Sequence, residues 1–318
     1  MKIIKVLTFI FASLLIFVSC SEKTVQQRKD RSVGGSSEIL LVTQNEEQWN
    51  GSIGEAVREY FEMEQYGLPQ LEKTYKVVNI NMSALNDMFK KHRNLILAEI
   101  NPELPNPIIE SERDWMSAPQ YAMKIKAKDA ETWIKVFDSQ KDMLKNAFDE
   151  NERQRFMNFF RPNANTDAMN KVKNKFGFSM VVPKDFCISV DKDNYMSITK
   201  DAETKELLMN LIIYELPYND ESDLDEARLV KVRDSVVRKY IAGPKDGSYM
   251  ITDLDFVPPV FKVLPDFPAG YAVEMRGMWN LHKEFMAGPF VSYTIVNPER
   301  NKLITVEGFV YYPNKEKR

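Results

Sequence analysis

The stretch that most constrains the fold runs from Gly270 to Tyr311. Apolar side chains alternate there with polar or small ones over three runs, Gly270 to Leu281, Phe290 to Val296 and Lys302 to Tyr311. A period of two sends successive side chains to opposite faces of a strand. The segments between the runs, "KEFMAGP" and "NPERN", carry the Gly, Pro and Asn that turn a chain. Three such runs joined by short turns predict an antiparallel β-meander, because a parallel return needs a crossover of about a dozen residues or more.

Upstream, Asp223 to Ile241 has the periodicity of an amphipathic helix and is stopped by Gly243-Pro244. Before it, "FSMVVPKDF" leads into a run in which Phe186, Ile188 and Val190 alternate with Cys187, Ser189 and Asp191. "NYMSITK" and "ELLMNLIIYEL" read as further strands. The first part of the chain alternates strand and helix. Glu38 to Thr43, Tyr75 to Asn81 and Asn94 to Ile100 have strand length and composition. Ser52-x-x-Glu55 has the form of a capping box, followed by Ile53, Val57, Tyr60 and Phe61 on one helical face. Ser83 is placed to cap a second helix through Leu85, Met88 and Phe89. After the proline-rich connection "NPELPNPIIE", Tyr121 to Ala127 predicts a half-exposed strand. Asp129 then caps a long helix carrying Trp133, Phe137, Leu144 and Phe148 as far as Phe160. "NTDAMNKVKNKFG" predicts one more helix, ending at Gly177.

Strands before one helix and strands after it predict an α+β protein rather than a doubly wound one. The expected architecture is two mixed α/β-sheet domains, residues 38–165 and 175–318. The second is an antiparallel sheet with one main helix and the C-terminal meander. A chain of 318 residues has room for both. Its 44% hydrophobic and 11% aromatic content supplies real cores and excludes general disorder. The balance of 43 basic against 46 acidic residues, with no basic stripe, argues against a nucleic-acid partner. Only 2 histidines are present, which narrows histidine-based metal or triad chemistry. The chain has no G-x-G-x-x-G, no P-loop, no H-E-x-x-H, no paired C-x-x-C and no G-x-S-x-G. No cofactor and no metal are therefore expected.

The amino terminus supplies an address. Lys2 and Lys5 precede an apolar run from Val6 to Val18, broken only by Thr8 and Ser13, and Ser19-Cys20 follows. This is the layout of a secretory signal. The run falls short of the ~20 residues that cross a bilayer core of ~30 Å comfortably. The cysteine behind it resembles the lipobox of bacterial lipoproteins, with Ser19 and Cys20 matching and Phe17 standing where Leu is usual. The resemblance implies that residues 1–19 are a signal peptide removed in the mature protein, and that Cys20 is acylated on its thiol and new amino terminus. Each buried CH₂ adds ~0.8 kcal/mol, so several chains hold where one is marginal. A plain secretory signal and an uncleaved anchor are the alternatives. Ser21 is not the aspartate that retains such proteins at the inner membrane. "SEKTVQQRKD" has a single acid, Glu22, before Lys23, and lacks the acidic run that some Bacteroidetes-type lipoproteins use for surface export. The outer membrane, facing the periplasm, is the expected location, and surface exposure is the alternative. Residues 20–37 read as the lipidated cysteine and a flexible tether, with a typical reach on the order of 20 Å.

Candidate sites are few. "KKHRN" sets Lys90, Lys91, His92 and Arg93 at a helix end before a buried strand. There they offset the negative end of the helix dipole, or form an anion- or partner-binding patch on the upper edge of the sheet. No nearby sequence supplies His92 with an orienting carboxylate and a nucleophile. Gly51 and Gly54 lie between a strand and a helix, where backbone donors cradle phosphates in other folds, but the capping box explains Ser52 and Glu55 without a ligand. "NDESDLDEAR" lacks the Gly and Glu of a calcium loop and reads as acids at a helix start, with Ser222 or Asp223 as cap. Cys187 is expected to be a small packing residue. His282 and Glu284 fall on one strand face near Trp279, as a shared site or, more simply, an exposed hairpin end.

The lipobox, "WNGSIG", "YGLPQLE", "KHRNLIL" and "VPKDF" together resemble an uncharacterised lipoprotein family of the Bacteroidetes type, a domain-of-unknown-function family, over nearly the whole mature chain. Residues 175–318 also resemble the extrinsic PsbP-like fold of photosystem proteins in their order of elements. Neither likeness brings catalytic residues, since fold does not carry function. The family resemblance implies an address and a size but no activity; the expected function is that of a non-enzymatic envelope lipoprotein, membrane-held through Cys20, that binds or scaffolds an envelope protein partner. The alternative is a periplasmic small-ligand binder or hydrolase with a site in the inter-domain crevice near His92.

Overall fold

The computed structural model describes residues 29–201, 207–313 and 315–317. Cys20 and the expected signal peptide lie outside the described residues. The first sheet contains β1 (Glu38–Thr43), β2 (Lys76–Asn81), β3 (Asn94–Ile100), β4 (Ile108–Arg113) and β5 (Tyr121–Ala127), in the order β2-β1-β3-β5-β4. Pairing is parallel throughout except for β4, which lies antiparallel along β5 at the edge. Strands buried on both faces read as continuous apolar runs, and "ILLV" of β1 is such a run.

The helices of this half are α1 (Glu46–Asn50), α2 (Ser52–Phe61), α3 (Asp87–Lys90) and α4 (Ala130–Phe160). On one face α2 and α4 press Val57, Phe61, Trp133, Phe137 and Phe148 against Ile39, Leu41 and Ile96. On the other, Leu40, Val42 and Leu95 lie under Phe89 and Trp115.

Several local expectations change. The strand from Tyr121 to Ala127 is not half-exposed: it is interior, with Ala122 buried on the face opposite Met123 and Ile125. Its lysines find carboxylates instead of water alone, Lys124 at Glu99 (2.6 Å) and Lys126 at Glu110 (3.2 Å). The proline-rich connection ends in the exposed edge strand β4, where prolines nearby are tolerated because one side of the strand is unpaired. Ser52 is not a cap. Asn45 caps α1 by accepting from Gln48 N at 2.9 Å, and Gly51 holds the cap position of α2. Asn86, not Ser83, caps α3, accepting from Met88 N at 3.0 Å and Phe89 N at 3.1 Å. Asp129 does cap α4, at 2.8 Å from Thr132 N. Asparagine and aspartate win these positions because a short side chain reaches the free backbone donors without strain.

The second half begins with α5 (Thr166–Phe176), then β6 (Phe186–Lys192), β7 (Tyr195–Lys200), β8 (Leu208–Pro217) and α6 (Glu226–Tyr240). It continues with β9 (Tyr249–Thr252), β10 (Val260–Phe267), β11 (Gly270–His282), β12 (Ala287–Asn297) and β13 (Lys302–Tyr311). The strands form an antiparallel sheet in the order β10-β11-β12-β13-β8-β7-β6, with β9 added to β11. The molecule is α+β with two sheet domains, and the meander is β11-β12-β13. The helix of "NTDAMNKVKNKFG" is α5. It packs on the second sheet, with Ala168, Val172 and Phe176 on Met196, Ile198 and Ile213. The start of the main helix also differs from expectation. Asp220 accepts from Ser222 N at 2.9 Å in a short turn, and α6 begins only at Glu226.

The face of the sheet under α6 holds a buried ion pair. Arg233 of α6 donates from Nε and Nη2 to the Glu307 carboxylate of β13 at 2.9 and 2.8 Å, and from Nη1 to Thr252 Oγ1 at 2.8 Å. Its guanidinium lies 3.8 Å from the centre of the Phe290 ring. Burial pushes the Glu307 carboxyl up from its ordinary value, against the two Arg233 bonds that hold it down. Breaking such a pair leaves an uncompensated charge in the core and costs ~3–5 kcal/mol, whereas replacing both members with apolar residues is often neutral. Glu307→Ala is expected to lower the unfolding free energy in urea by about that amount, and Arg233→Met/Glu307→Leu to recover most of it.

Candidate functional site

Lys90, Lys91, His92 and Arg93, the expected anion- or partner-binding patch, each have a carboxylate partner. They sit where β3 begins, and each is engaged from the amino-terminal segment or a neighbour. Lys90 pairs with Asp87 at 3.1 Å and Lys91 with Asp30 at 2.6 Å. His92, only 4% exposed, places Nε2 3.1 Å from Glu38 Oε1 and Nδ1 beside the main chain of Asn94. Arg93 donates to Glu152 Oε2 at 2.8 Å and to Gly34 O at 2.7 Å. The helix before them spans only Asp87–Lys90 and is too short to carry a dipole argument.

What these residues grip is the end of the expected tether. Residues from Lys29 to Ser37 are seated on the first sheet rather than free. Val33 N donates to Lys91 O and Arg93 N to Val33 O, both at 3.0 Å, and Ala118 N reaches Asp30 O at 2.8 Å. Gly34 takes φ +98°, and a Cβ there would lie 2.4 Å from His92 Nε2, so only glycine fits between the segment and the imidazole. The grip is a structural clasp that a reading of "VGGSS" as linker could not foresee.

Open α/β sheets bind ligands outside the carboxyl ends of their strands, where the strand order reverses. Here that place lies between β1 and β3, and Gln44 closes it. Its Oε1 accepts from Ile100 N at 2.7 Å and its Nε2 donates to Ile100 O at 3.2 Å. Gly51 and Gly54 beside it serve packing. A Cβ on Gly51 would meet Glu47 O at 2.7 Å, and one on Gly54 would meet Trp49 O at 2.0 Å.

The open site lies between the two sheet domains. Along β13, Ile304 and Val306 pack beneath α5, and Gly308 and Val310 follow at the alternate positions of the same face. With Leu211 and Met209 of β8 and Val291 of β12 they floor a cleft of about 490 Å³. Its volume falls within the range of ligand pockets, ~300–1,000 Å³. The roof is the loop from Gln65 to Leu68, which joins α2 to β2. Tyr66 donates its hydroxyl to Pro258 O at 2.7 Å, pinning the loop to the second domain. Gly67, at φ +84°, brings the backbone down onto β11, where a Cβ would stand 3.5 Å from both Arg276 and Gly277. The carboxy-terminal tail completes the wall: Lys317 N donates to both Glu72 oxygens, at 3.0 and 3.1 Å. Arg276 reaches the cleft from β11 and donates to Glu274 from Nε and Nη2 at 3.3 and 3.2 Å. The crevice anticipated between the domains is thus present, but it is built from "YGLPQ", "MVVP" and the sheet floor, away from the His92 clasp. No motif marks it; the signal in the sequence was Gly308 standing amid the alternating apolar residues of β13.

The remaining candidates resolve individually. Cys187 is exposed on edge strand β6 and is not a packing residue, because its alternating neighbours Phe186 and Ile188 take the inward face. His282 ends β11 and lies over Tyr249 with ring centres 4.9 Å apart, while Glu284 pairs with Lys245 at 2.8 Å in the turn beyond. Trp279 is buried in the core and shares no site with them. Asp223 accepts from Asn219 N and Nδ2, both at 2.9 Å. Among the described residues no group of His, Cys, Asp and Glu is placed to hold a metal ion, and no helix is long and apolar enough to cross a membrane.

This body is a two-domain α+β protein with a ligand-sized cleft at the domain seam. Residues 32–161 match the family model described as a domain of unknown function (DUF8532), and residues 165–318 match another so described (DUF4837). The second match opens at Asn165, whose side chain caps α5 at 3.1 Å from Ala168 N. No curated protein matches the chain.

The clasp carries a pH dependence. Burial pushes His92 below its ordinary value, outweighing the Glu38 and Asn94 contacts that would raise it. Burial acts to raise Glu38, but the His92 and Gly35 hydrogen bonds prevail and hold its carboxyl below the usual value. An imidazole held low binds fewer protons than the unfolded chain does, so its contribution is complete above ~6.5 and is lost as pH falls through the folded value. Glu38 adds a further loss in more acidic solution, by the same sign. The melting temperature is expected to fall on acidification from about pH 7.5 to about pH 5.5, and His92→Gln to lose about half or more of that slope.

Proposed function

We propose that the chain is a lipid-anchored protein of the cell envelope, held through Cys20 at the outer membrane and facing the periplasm. It acts there by non-enzymatic binding, with the inter-domain cleft as its binding place. The observation that carries the binding part is the uncovered apolar floor around Gly308 beneath the Tyr66–Leu68 roof. Small molecules bind preferentially in such hollows at domain interfaces. The hydrolase alternative loses its histidine, because His92 is sealed into the clasp.

The anchoring part rests on the Ser19-Cys20 pattern, and the way the chain enters the body supports it. Ser32 is held by Arg155 of α4, whose Nη1 donates to its Oγ at 2.8 Å and Nη2 to its carbonyl at 3.0 Å. Next to Arg155 and one turn further along α4 stand Phe156 and Phe159, 52% and 67% exposed, with Phe160 stacked on Phe156. Arg153 and Arg161 flank them. Exposed aromatics rimmed by arginines suit the headgroup layer of a bilayer, where rings bury and cations meet phosphate. The stretch from Cys20 to Lys29 spans at most ~30 Å when extended, so an anchored chain keeps this helix end within reach of the lipid.

Two measurements test the reading. Metabolic labelling with a radioactive fatty acid is expected to mark the wild type and not Cys20→Ala; equal labelling of both would sink the anchor. An unlipidated chain beginning at residue 20 with Cys20→Ser is expected to float with anionic vesicles. Phe156→Ser/Phe159→Ser is expected to weaken that association about fivefold or more at unchanged circular dichroism.

A further inference from the structure

Gly308 differs from the other glycines of its sheet. On β11 a Cβ at Gly277 would lie 3.1 Å from Pro259 Cα, and on β12 one at Gly288 would lie 2.1 Å from Val310 O, so both are required by close packing. A Cβ at Gly308 would meet nothing within 4 Å. Its φ is not in the left-handed region either. No steric or backbone reason explains a glycine in the middle of an interior strand, where it weakens the strand. Its effect is to leave space in the floor of the cleft.

The surroundings of that space define what fits. Met180, Met209, Phe186, Leu211 and Val291 offer apolar surface, and the two methionines can adapt to an irregular chain. A sugar or nucleotide would leave its hydroxyls without partners on such walls. Among the described residues, the charged side chains lining the cleft are Arg276 and Lys317, both cations, and no carboxylate lines it. Lys317 is steadied by Gln70, its Nζ donating to Oε1 at 2.9 Å. Arginine carries five donors, and Arg276 directs Nε and Nη2 to Glu274, a contact that also orients its guanidinium.

From this arrangement we infer that the cleft takes a single acyl chain ending in an anion, with the chain over Gly308 and the anion at Arg276 and Lys317. The inference rests on the cleft being the binding place and goes further by naming the ligand class. A free fatty acid and a lysophospholipid share this chemistry, and the test separates them.

The test uses the unlipidated chain from residue 20 and the fluorescent polyene cis-parinaric acid, with its methyl ester as the neutral control. Saturable binding of the acid is expected, about tenfold weaker or more in Gly308→Phe, whose ring would occupy the floor. Val310→Trp fills the same space from the neighbouring position and is expected to do the same if Gly308→Phe folds poorly. Arg276→Gln is expected to weaken the acid about fivefold or more and to leave the methyl ester unchanged. Displacement by oleate alone would name a free fatty acid as the source, and displacement by lysophosphatidate alone a lipid headgroup; either upholds the class. Binding of the acid that survives both filling variants overturns the proposal. If the methyl ester binds wild type but not the filled variants, while the acid does not bind at all, the anionic class fails and the cleft remains a binding place. If neither probe binds the folded wild type, the acyl-chain inference fails outright.

Discussion

The loop that ties the two halves of this protein together pairs with itself before it reaches across. Gln65 N donates to Glu72 O and Thr74 N to Met63 O, both at 2.7 Å, so the loop leaves the first sheet as a braced hairpin. From that brace Tyr66 holds Pro258, Gly67 rests on β11, and Glu72 receives the tail at Lys317. A flexible loop would lose backbone entropy of ~1–2 kcal/mol per residue on closing over the sheet. The internal bonds meet part of that cost before the second domain is touched. Without this bridge the floor around Gly308 would be an ordinary exposed sheet face rather than a walled cleft.

The rest of the molecule closes the other places where chemistry could gather. Gln44 plugs the reversal point of the first sheet, the clasp buries His92 and Arg93, and Arg233 is held by Glu307 inside the second core. Arg93 and Arg233, both buried, are paired with Glu152 and Glu307, as the desolvation cost of an isolated ion demands. Exposed Phe156 and Phe159 lie at a different surface, beside the entry of the amino-terminal segment. In the proposed function, attachment and binding would fall to separate parts of the chain.

Much of the architecture was legible because periodicity is local. The alternation in β11, β12 and β13 and the helical spacing of Trp133, Phe137, Leu144 and Phe148 each report their element from a few neighbouring residues. Edge strand β4 and the short β9 were harder to read. The first follows closely spaced prolines, and the second has only four residues. Caps were misassigned where two polar residues stood close together. Ser52 lost to the Asn45 and Gly51 positions because α1 intervenes, and Ser83 lost to Asn86. The contacts of Lys91, His92 and Arg93 with residues about sixty positions earlier are ones that no local pattern records.

What the amino-acid sequence determined by itself was most of the longer elements, the α+β class and the turns of the meander, since those follow from side-chain period and backbone preference over short distances. It also contains the Ser19-Cys20 pattern on which the envelope address rests. Only the tertiary structure decided that the segment after residue 28 is clasped rather than loose, that Cys187 faces solvent, and that "YGLPQ" roofs the second sheet. Those outcomes depend on which surfaces meet. Gly308 shows the difference most plainly: in the chain it is one small residue in an alternating run, and in the fold it leaves open space in the floor of the cleft that the loop of the other domain roofs.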